Sequence, residues 1–373
     1  MRALLAFALL SPTLLAACVG AGDSSGLPDA VARREGAVQA REVASSAADA
    51  QLTCVTALDA DSRGRIYVAD MFQPSVLVLS HDGRVERRIG RRGSGPGEFR
   101  SVRDVQVLPG DSLLVYDADL ARVSVFAADS DRPAYVVNLA ERLQGMPPFH
   151  LARAPATGNY LAQFQARLAF GSNNALEPRR DSVVLLGPDG SPRVRLETFP
   201  AAPFLVARTS VTPHPFGRRV IARLDARGRV LVVHTDSLTV AILTASGERE
   251  RSFGYAYDAP PITRGDVDRA LEGMGEQGRA MFTDALADSL PARWPAVEDL
   301  RVDDENQVWI RLSGPFDQPV EWAVFTPDGR YRHSVLLPRK TTLHAVRAGR
   351  AYVDRADSSG VPRVLVLEVR SQP

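Results

Sequence analysis

The sequence predicts an all-β fold, a six-bladed β-propeller built from four-stranded antiparallel blades, with a small helical insertion between blades 4 and 5. Three observations predict it. Two strand signatures alternate along the chain in six copies. The copies recur at about 45 residues, the period of propeller blades. Four copies lead into a tight hairpin turn at Asp82-Gly83, Asp189-Gly190, Ser246-Gly247 and Asp328-Gly329, pairs that supply the positive φ such turns need.

The first signature is a turn residue followed by β-formers: Gly64 to Asp70, Asp111 to Asp117, Asn159 to Phe164, Gly228 to Val233, Gln307 to Leu312 and Gly349 to Asp354. The second follows each of these: Val76 to Leu79, Val123 to Phe126, Val183 to Leu186, Val240 to Leu243, Trp322 to Phe325 and Val364 to Leu367. Branched and aromatic residues dominate both, as half-buried strands require. A more polar strand comes after each hairpin, as at Arg84 to Ile89 and Arg330 to Leu337.

Composition agrees with a large globular body. The chain has 373 residues, 45% hydrophobic and 24% charged, with a formal net charge of +1. A balance so near zero gives no field that favours nucleic acid. Lys340 is the only lysine, so the basic charge is almost all arginine, a pattern that GC-rich coding explains. The only cysteines, Cys18 and Cys54, have no metal-cluster spacing.

The N-terminus reads as an export signal over residues 1–17. Arg2 precedes an apolar run, Ala3 to Leu10, and Ser11-Pro12-Thr13 interrupts it. The stretch is too short and broken for a span of roughly 20 residues. Leu15-Ala16-Ala17-Cys18 resembles the bacterial lipobox, which implies cleavage before Cys18, acylation of its thiol and membrane attachment through the lipid. Stable anchoring needs more than one acyl chain, and the triacyl group of such proteins supplies it. Residues 18–37 are rich in small and polar side chains and read as a flexible tether. With Cys18 acylated, Cys54 is expected as a buried thiol without a disulfide partner. The propeller then occupies residues 38–373, in a lipid-anchored protein of the bacterial envelope facing the periplasm or the cell surface.

Two inter-blade spacings are long. Ala201 to Phe216 is Pro-rich and reads as a loop. Residues 263–295 read as helical, because Val267, Leu271, Met274, Met281, Phe282, Ala285 and Leu286 fall largely on one face. Thr263 and Asp266 form a capping box, Gly273, Gly275 and Gly278 split the segment in two, and Pro291 stops it. Blade 6 has room for only three strands. Val38 to Val43 is the candidate for its outer strand, closing the ring and covering an open edge.

Ile89 to Phe99, with Arg103-Asp104-Val105 after it and Tyr67 to Asp70 before it, resembles NHL-repeat propellers. It is similar above all to six-bladed propeller lipoproteins of environmental bacteria, in the NHL and TolB-like superfamily. The Gly-rich run lacks the helix and Lys-Ser/Thr ending of a phosphate loop and is expected to be an inter-blade connection.

Chemistry, if present, belongs at the channel. Thr56, Asp104, His150, Arg219, Asp299 and His344 lie in or just before the innermost strands and are the candidate ligand-binding residues. The resemblance implies that such positions serve lyases through histidines and lactonases through Glu, Asn and Asp about a divalent cation. Two histidines and two carboxylates are compatible with a channel Ca²⁺ or Zn²⁺, but no cofactor is required by any motif. Asp70, Asp117 and Asp354 end their strands alike and read as caps for backbone N–H groups. No Gly-x-Ser-x-Gly elbow, Cys/His dyad or His-Glu-x-x-His helix occurs. The sequence therefore points to a binding or scaffold module for an envelope protein, peptide or glycan, ahead of a metal-dependent hydrolase or lyase and ahead of a purely structural component.

Overall fold

The computed structural model of the chain describes residues 27–143, 147–169, 178–207 and 210–369. The signal segment and Cys18 lie outside the described residues.

The body is a six-bladed β-propeller. Each blade is a meander whose strands run from the channel outward. Blade 1 comprises Val55–Ala60, Ile66–Asp70, Gln73–Leu79 and Val85–Ile89, and blade 2 comprises Val102–Leu108, Ser112–Asp117, Arg122–Phe126 and Pro133–Asn138. Blade 3 has His150–Arg153, Tyr160–Phe164, Arg180–Leu186 and Pro192–Pro200; blade 4 has Val220–Leu224, Val230–His234, Thr239–Leu243 and Arg249–Gly254. Val297–Val302, Val308–Leu312, Val320–Phe325 and Tyr331–Leu337 make blade 5. Blade 6 has three strands of its own, Thr341–Arg347, Arg350–Ala356 and Pro362–Glu368.

The second and third strands are buried on both faces, which is why they read as near-continuous apolar runs. The core accordingly divides into six clusters, each shared by two neighbouring blades. Tyr67, Val76 and Ile89 of blade 1 pack on Val105, Val115 and Phe126 of blade 2, and Tyr352, Val364 and Val366 of blade 6 pack on Leu58, Val68 and Leu77 of blade 1. The hairpin glycines let the blades approach. Gly329 has φ +91°, and a Cβ there would lie 2.3 Å from the Phe253 ring of blade 4.

The N-terminal segment ties the ring at two places. Arg41–Ser45 is the fourth, outer strand of blade 6, antiparallel to Pro362–Glu368 with a bulge at Val43. The closing strand thus starts three residues later than the Val38 to Val43 stretch. Val38–Gln39 instead adds in parallel to the edge of blade 5, opposite Val335 and Leu336. Part of the segment read as a tether is folded. Helix α1, Ala30–Glu35, is capped by Asp29 and lies against blade 5. Its Arg33 is 4% exposed; the guanidinium meets Glu321 at 2.7 Å, and the Glu321 carboxylate also accepts from the Ser334 hydroxyl at 2.9 Å. A charged helix of six residues has no apolar stripe to announce it, and the carboxylate that fixes it is far away in sequence.

The helical insertion forms α2, Arg264–Leu271, and α3, Gly275–Ser289, broken by a short 3₁₀ turn at Glu272–Met274. The Thr263–Asp266 capping box is present in both directions. Leu271, Phe282 and Leu286 bury a seventh cluster with Leu205, Phe216 and Trp294. Met281, expected on the packed face, is exposed: it neighbours Phe282 in sequence, and the helix turns it outward. The Pro-rich stretch read as a loop contains a two-stranded hairpin, Phe204–Ala207 with Ser210–Pro213, because the insertion gives its apolar side chains something to cover.

Candidate functional site

The inner strands run in one sense, so the residues at their starts share one mouth of the central channel. The insertion, which joins the outer strand of blade 4 to the inner strand of blade 5, emerges at that same end. The channel encloses about 1080 Å³, and Thr56, Asp104, His150, Arg219, Asp299 and His344 all line it.

They do not converge on a point. Asp104 crosses from blade 2 to blade 3: one oxygen lies 2.7 Å from His150 Nδ1, and the other accepts the Leu151 N–H at 2.9 Å. Asp299 sits between two guanidiniums, Arg223 at 3.0 Å and Arg301 at 2.8 Å. Burial pushes the Asp299 carboxyl up, but Arg301 and Arg223 outweigh it and hold it below the usual range. Arg219 donates to the Glu298 carbonyl at 2.6 Å. His344 turns back into its own blade, with Nε2 2.6 Å from Asp354. Asp354, expected to cap backbone amides, is thus taken by a side chain, whereas Asp70 accepts the Thr53, Cys54 and Phe72 amides and Asp117 those of Arg100, Ser101 and Leu120.

Among the described residues no group of three or more His, Cys, Asp or Glu side chains is placed to hold a metal ion. Each channel histidine faces a single carboxylate, Asp104 for His150 and Asp354 for His344. Cys54 is partly rather than fully buried. Its thiol is raised, first by burial and then by Asp70 and Asp354, which makes the reactive thiolate scarcer.

Most channel polarity has a structural task. Near the end of each inner strand stands one polar residue: Asp59, Gln106, Arg153, Arg223, Arg301 and Arg347. With Gln163, these residues link every pair of adjacent blades, Arg153 through its backbone and the others through their side chains. Asp59 of blade 1 accepts the Val107 N–H of blade 2 at 2.8 Å. Gln106 bonds the Arg153 backbone both ways, at 2.9 and 2.8 Å, and Gln163 of blade 3 reaches the Ala222 carbonyl of blade 4 at 2.9 Å. Arg223 joins blade 4 to blade 5 through Asp299, and Arg301 donates to the Leu343 carbonyl of blade 6 at 2.9 Å. Arg347 closes the circuit on Asp59 with two bonds, 2.6 and 2.7 Å. Sequence reasoning missed this belt. Its signal was there, one polar residue breaking the apolar rhythm near the end of all six inner strands.

The Gly-rich run between Ile89 and Phe99 is an inter-blade connection. Glu98 accepts the Ser94 and Gly95 amides at 3.1 and 2.9 Å, so its own carboxylate takes the amides a phosphate would need.

Exposed apolar groups occur at the same end of the propeller. Arg103 lies over the Phe149 ring at 4.7 Å, and Phe149, Met71 and Phe72 are exposed by 44%, 40% and 68%. Among the described residues, no helix is long and apolar enough to cross a membrane.

A family described as 6-bladed beta-propeller matches residues 55–144. Curated proteins give no match. A member of the duf4221 family from Bacteroides vulgatus superposes with a TM-score of 0.50 at 9% identity, covering 90% of this chain and 99% of that one. A protein described as exported, from Bacteroides fragilis, gives 0.49 at 10% identity over 90% and 95%. One described as a gluconolactonase gives 0.46 at 17% identity over 90% and 94%. At these identities what is shared is the propeller architecture.

Proposed function

We propose that this chain is an exported lipoprotein of the NHL and TolB-like kind, anchored through Cys18. In this reading it acts at the bacterial envelope as a binding or scaffold module for a protein, peptide or glycan. One observation carries it. Most of the channel's polar side chains hold blades together, while Phe149 with Arg103 over its ring, and Met71 and Phe72 at a turn of the same end, present exposed apolar and cationic groups. Exposed aromatic patches beside arginine are the usual makings of a recognition surface. The export signal, and the exported protein among its structural neighbours, favour the envelope.

A second reading, a hydrolase or lyase at the channel, has the His150–Asp104 pair in its favour, since a carboxylate-oriented imidazole can serve as a general base. The two readings part experimentally. Binding to arrays of peptidoglycan fragments, glycans and envelope peptides is expected for the parent and lost in Phe149→Ser. A stoichiometric metal in the purified protein, lost together with turnover in His150→Ala, would overturn the binding reading. The anchor is tested separately: Cys18→Ala should move the protein from the membrane to the soluble fraction, and a variant that stays with the membrane refutes it.

A further inference from the structure

The wall of the channel between blades 4 and 5 carries more positive than negative charge. Arg219 and Arg223 come from the start and end of one inner strand region, Arg301 from the next. One carboxylate, Asp299, stands among them, and both of its oxygens are occupied. Oδ1 accepts from Arg223 Nη2 at 3.0 Å and from the Leu300 N–H at 2.8 Å, and Oδ2 lies 2.8 Å from Arg301 Nη2. The neighbouring Glu298 carboxylate is taken by Arg311 at 2.6 Å. Arg219 has no carboxylate partner among the described residues; its guanidinium meets only a neutral acceptor, the Glu298 carbonyl. Four guanidiniums therefore face two carboxylates. Asp104, across the channel and close enough for its charge to reach Arg223, is engaged by His150 and the Leu151 amide.

We infer that this wall is an oxyanion site, taking a carboxylate or phosphate carried by a ligand that enters the channel, with Arg219 as the first contact and Arg301 behind it. Guanidinium suits this task, because its fork of N–H donors matches two oxygens of either group and it keeps its charge. A narrow channel walled by protein concentrates the field of such a cluster. Burial first, and then the neighbouring Arg301, pull the Arg223 guanidinium down to about 10, and an arriving anion would offset the Arg301 repulsion. A volume of about 1080 Å³ admits a ligand much larger than the ion itself. The inference deepens the binding-module reading and rests on it for the rest of the ligand, but the ion site is tested alone.

Thermal unfolding of the purified full chain would be followed against citrate and against inorganic phosphate, at constant ionic strength set with chloride, with calorimetric titration of the same pairs. A saturable rise in melting temperature is expected. Arg219→Gln should weaken the apparent Kd at least tenfold. It leaves the Asp299 cluster intact, so the variant should fold. Arg92→Gln, at an exposed residue of the connection between blades 1 and 2, should titrate like the parent. Tighter binding of citrate assigns a carboxylate; tighter binding of phosphate assigns a phosphate. Absence of a saturable effect from both anions overturns the inference, as does an Arg219→Gln variant that titrates like the parent. A parent that ignores both anions yet still binds an array ligand through Phe149 removes the oxyanion site and leaves the binding module standing.

Discussion

Replacing Arg33 with methionine should destabilise the propeller although the helix carrying it lies outside the blades. The side chains of Arg33 and Glu321 are 4% and 6% exposed, so Met at 33 leaves a carboxylate out of water without its nearest cation. Breaking a buried pair on one side costs about 3–5 kcal/mol. Two neighbours moderate this. Ser334 still donates to Glu321 at 2.9 Å, and Arg34, 37% exposed, lies 3.5 Å from the other oxygen. The lower end of the range, about 3 kcal/mol, is therefore expected, which lowers the melting temperature of a chain this long by about 4 °C. Urea unfolding of the parent, Arg33→Met, Glu321→Met and the double variant gives a double-mutant cycle. The double variant should recover most of the loss, because both charges are then gone. A single variant within about 0.5 kcal/mol of the parent would refute the claim that this pair fastens the helix to blade 5.

Three further outcomes follow from the same packing. Beginning the chain at Gln51 removes α1 and the Arg41–Ser45 strand, so aggregation or a melting temperature lower by about 10 °C or more is expected; melting like the parent would mean that the ring closes without its fourth strand. Gly329→Ala places a Cβ against Phe253 at positive φ and should cost about 2–4 kcal/mol in urea unfolding, whereas a neutral result would show that blades 4 and 5 can slide apart freely. Burial beside Phe216, a residue of the seventh cluster, holds the His214 imidazole below its usual 6.5. Its stabilising effect is thus complete above that pH and is lost as pH falls through the depressed value. Between pH 7.5 and 5 the His214→Gln variant should lose less stability than the parent, and equal slopes would argue that other groups govern the acid response.

The blades were legible because strands buried on both faces must be apolar throughout, and six such pairs at one period admit few architectures. The Thr263–Asp266 box and the Asp-Gly turns were legible for a similar reason, since their geometry is local. What escaped depends on partners distant in sequence. Nothing near Arg33 announces Glu321, and nothing in the Val38 to Val43 stretch says that its first two residues join blade 5 while its later ones join blade 6. The candidate site shows the same division. Position within an inner strand was enough to place Asp104, His150, Arg219, Asp299 and His344 on the channel. Their partners were not, and partners decide the chemistry: His344 is drawn to Asp354, Asp104 to His150 and an amide of blade 3, and Arg219, of these five, has no carboxylate partner among the described residues.

The route of the N-terminal segment also has a mechanical side. Tension applied to the chain ahead of residue 27 would reach α1 first, where a short helix and its two ion pairs to Glu321, through Arg33 and Arg34, take the load. Next comes the two-residue parallel strand on blade 5, and only after it the antiparallel strand that completes blade 6. The attachments are arranged in series, from the least extensive to the most, so a pull would be absorbed by peeling the outer fastenings while the ring stayed shut.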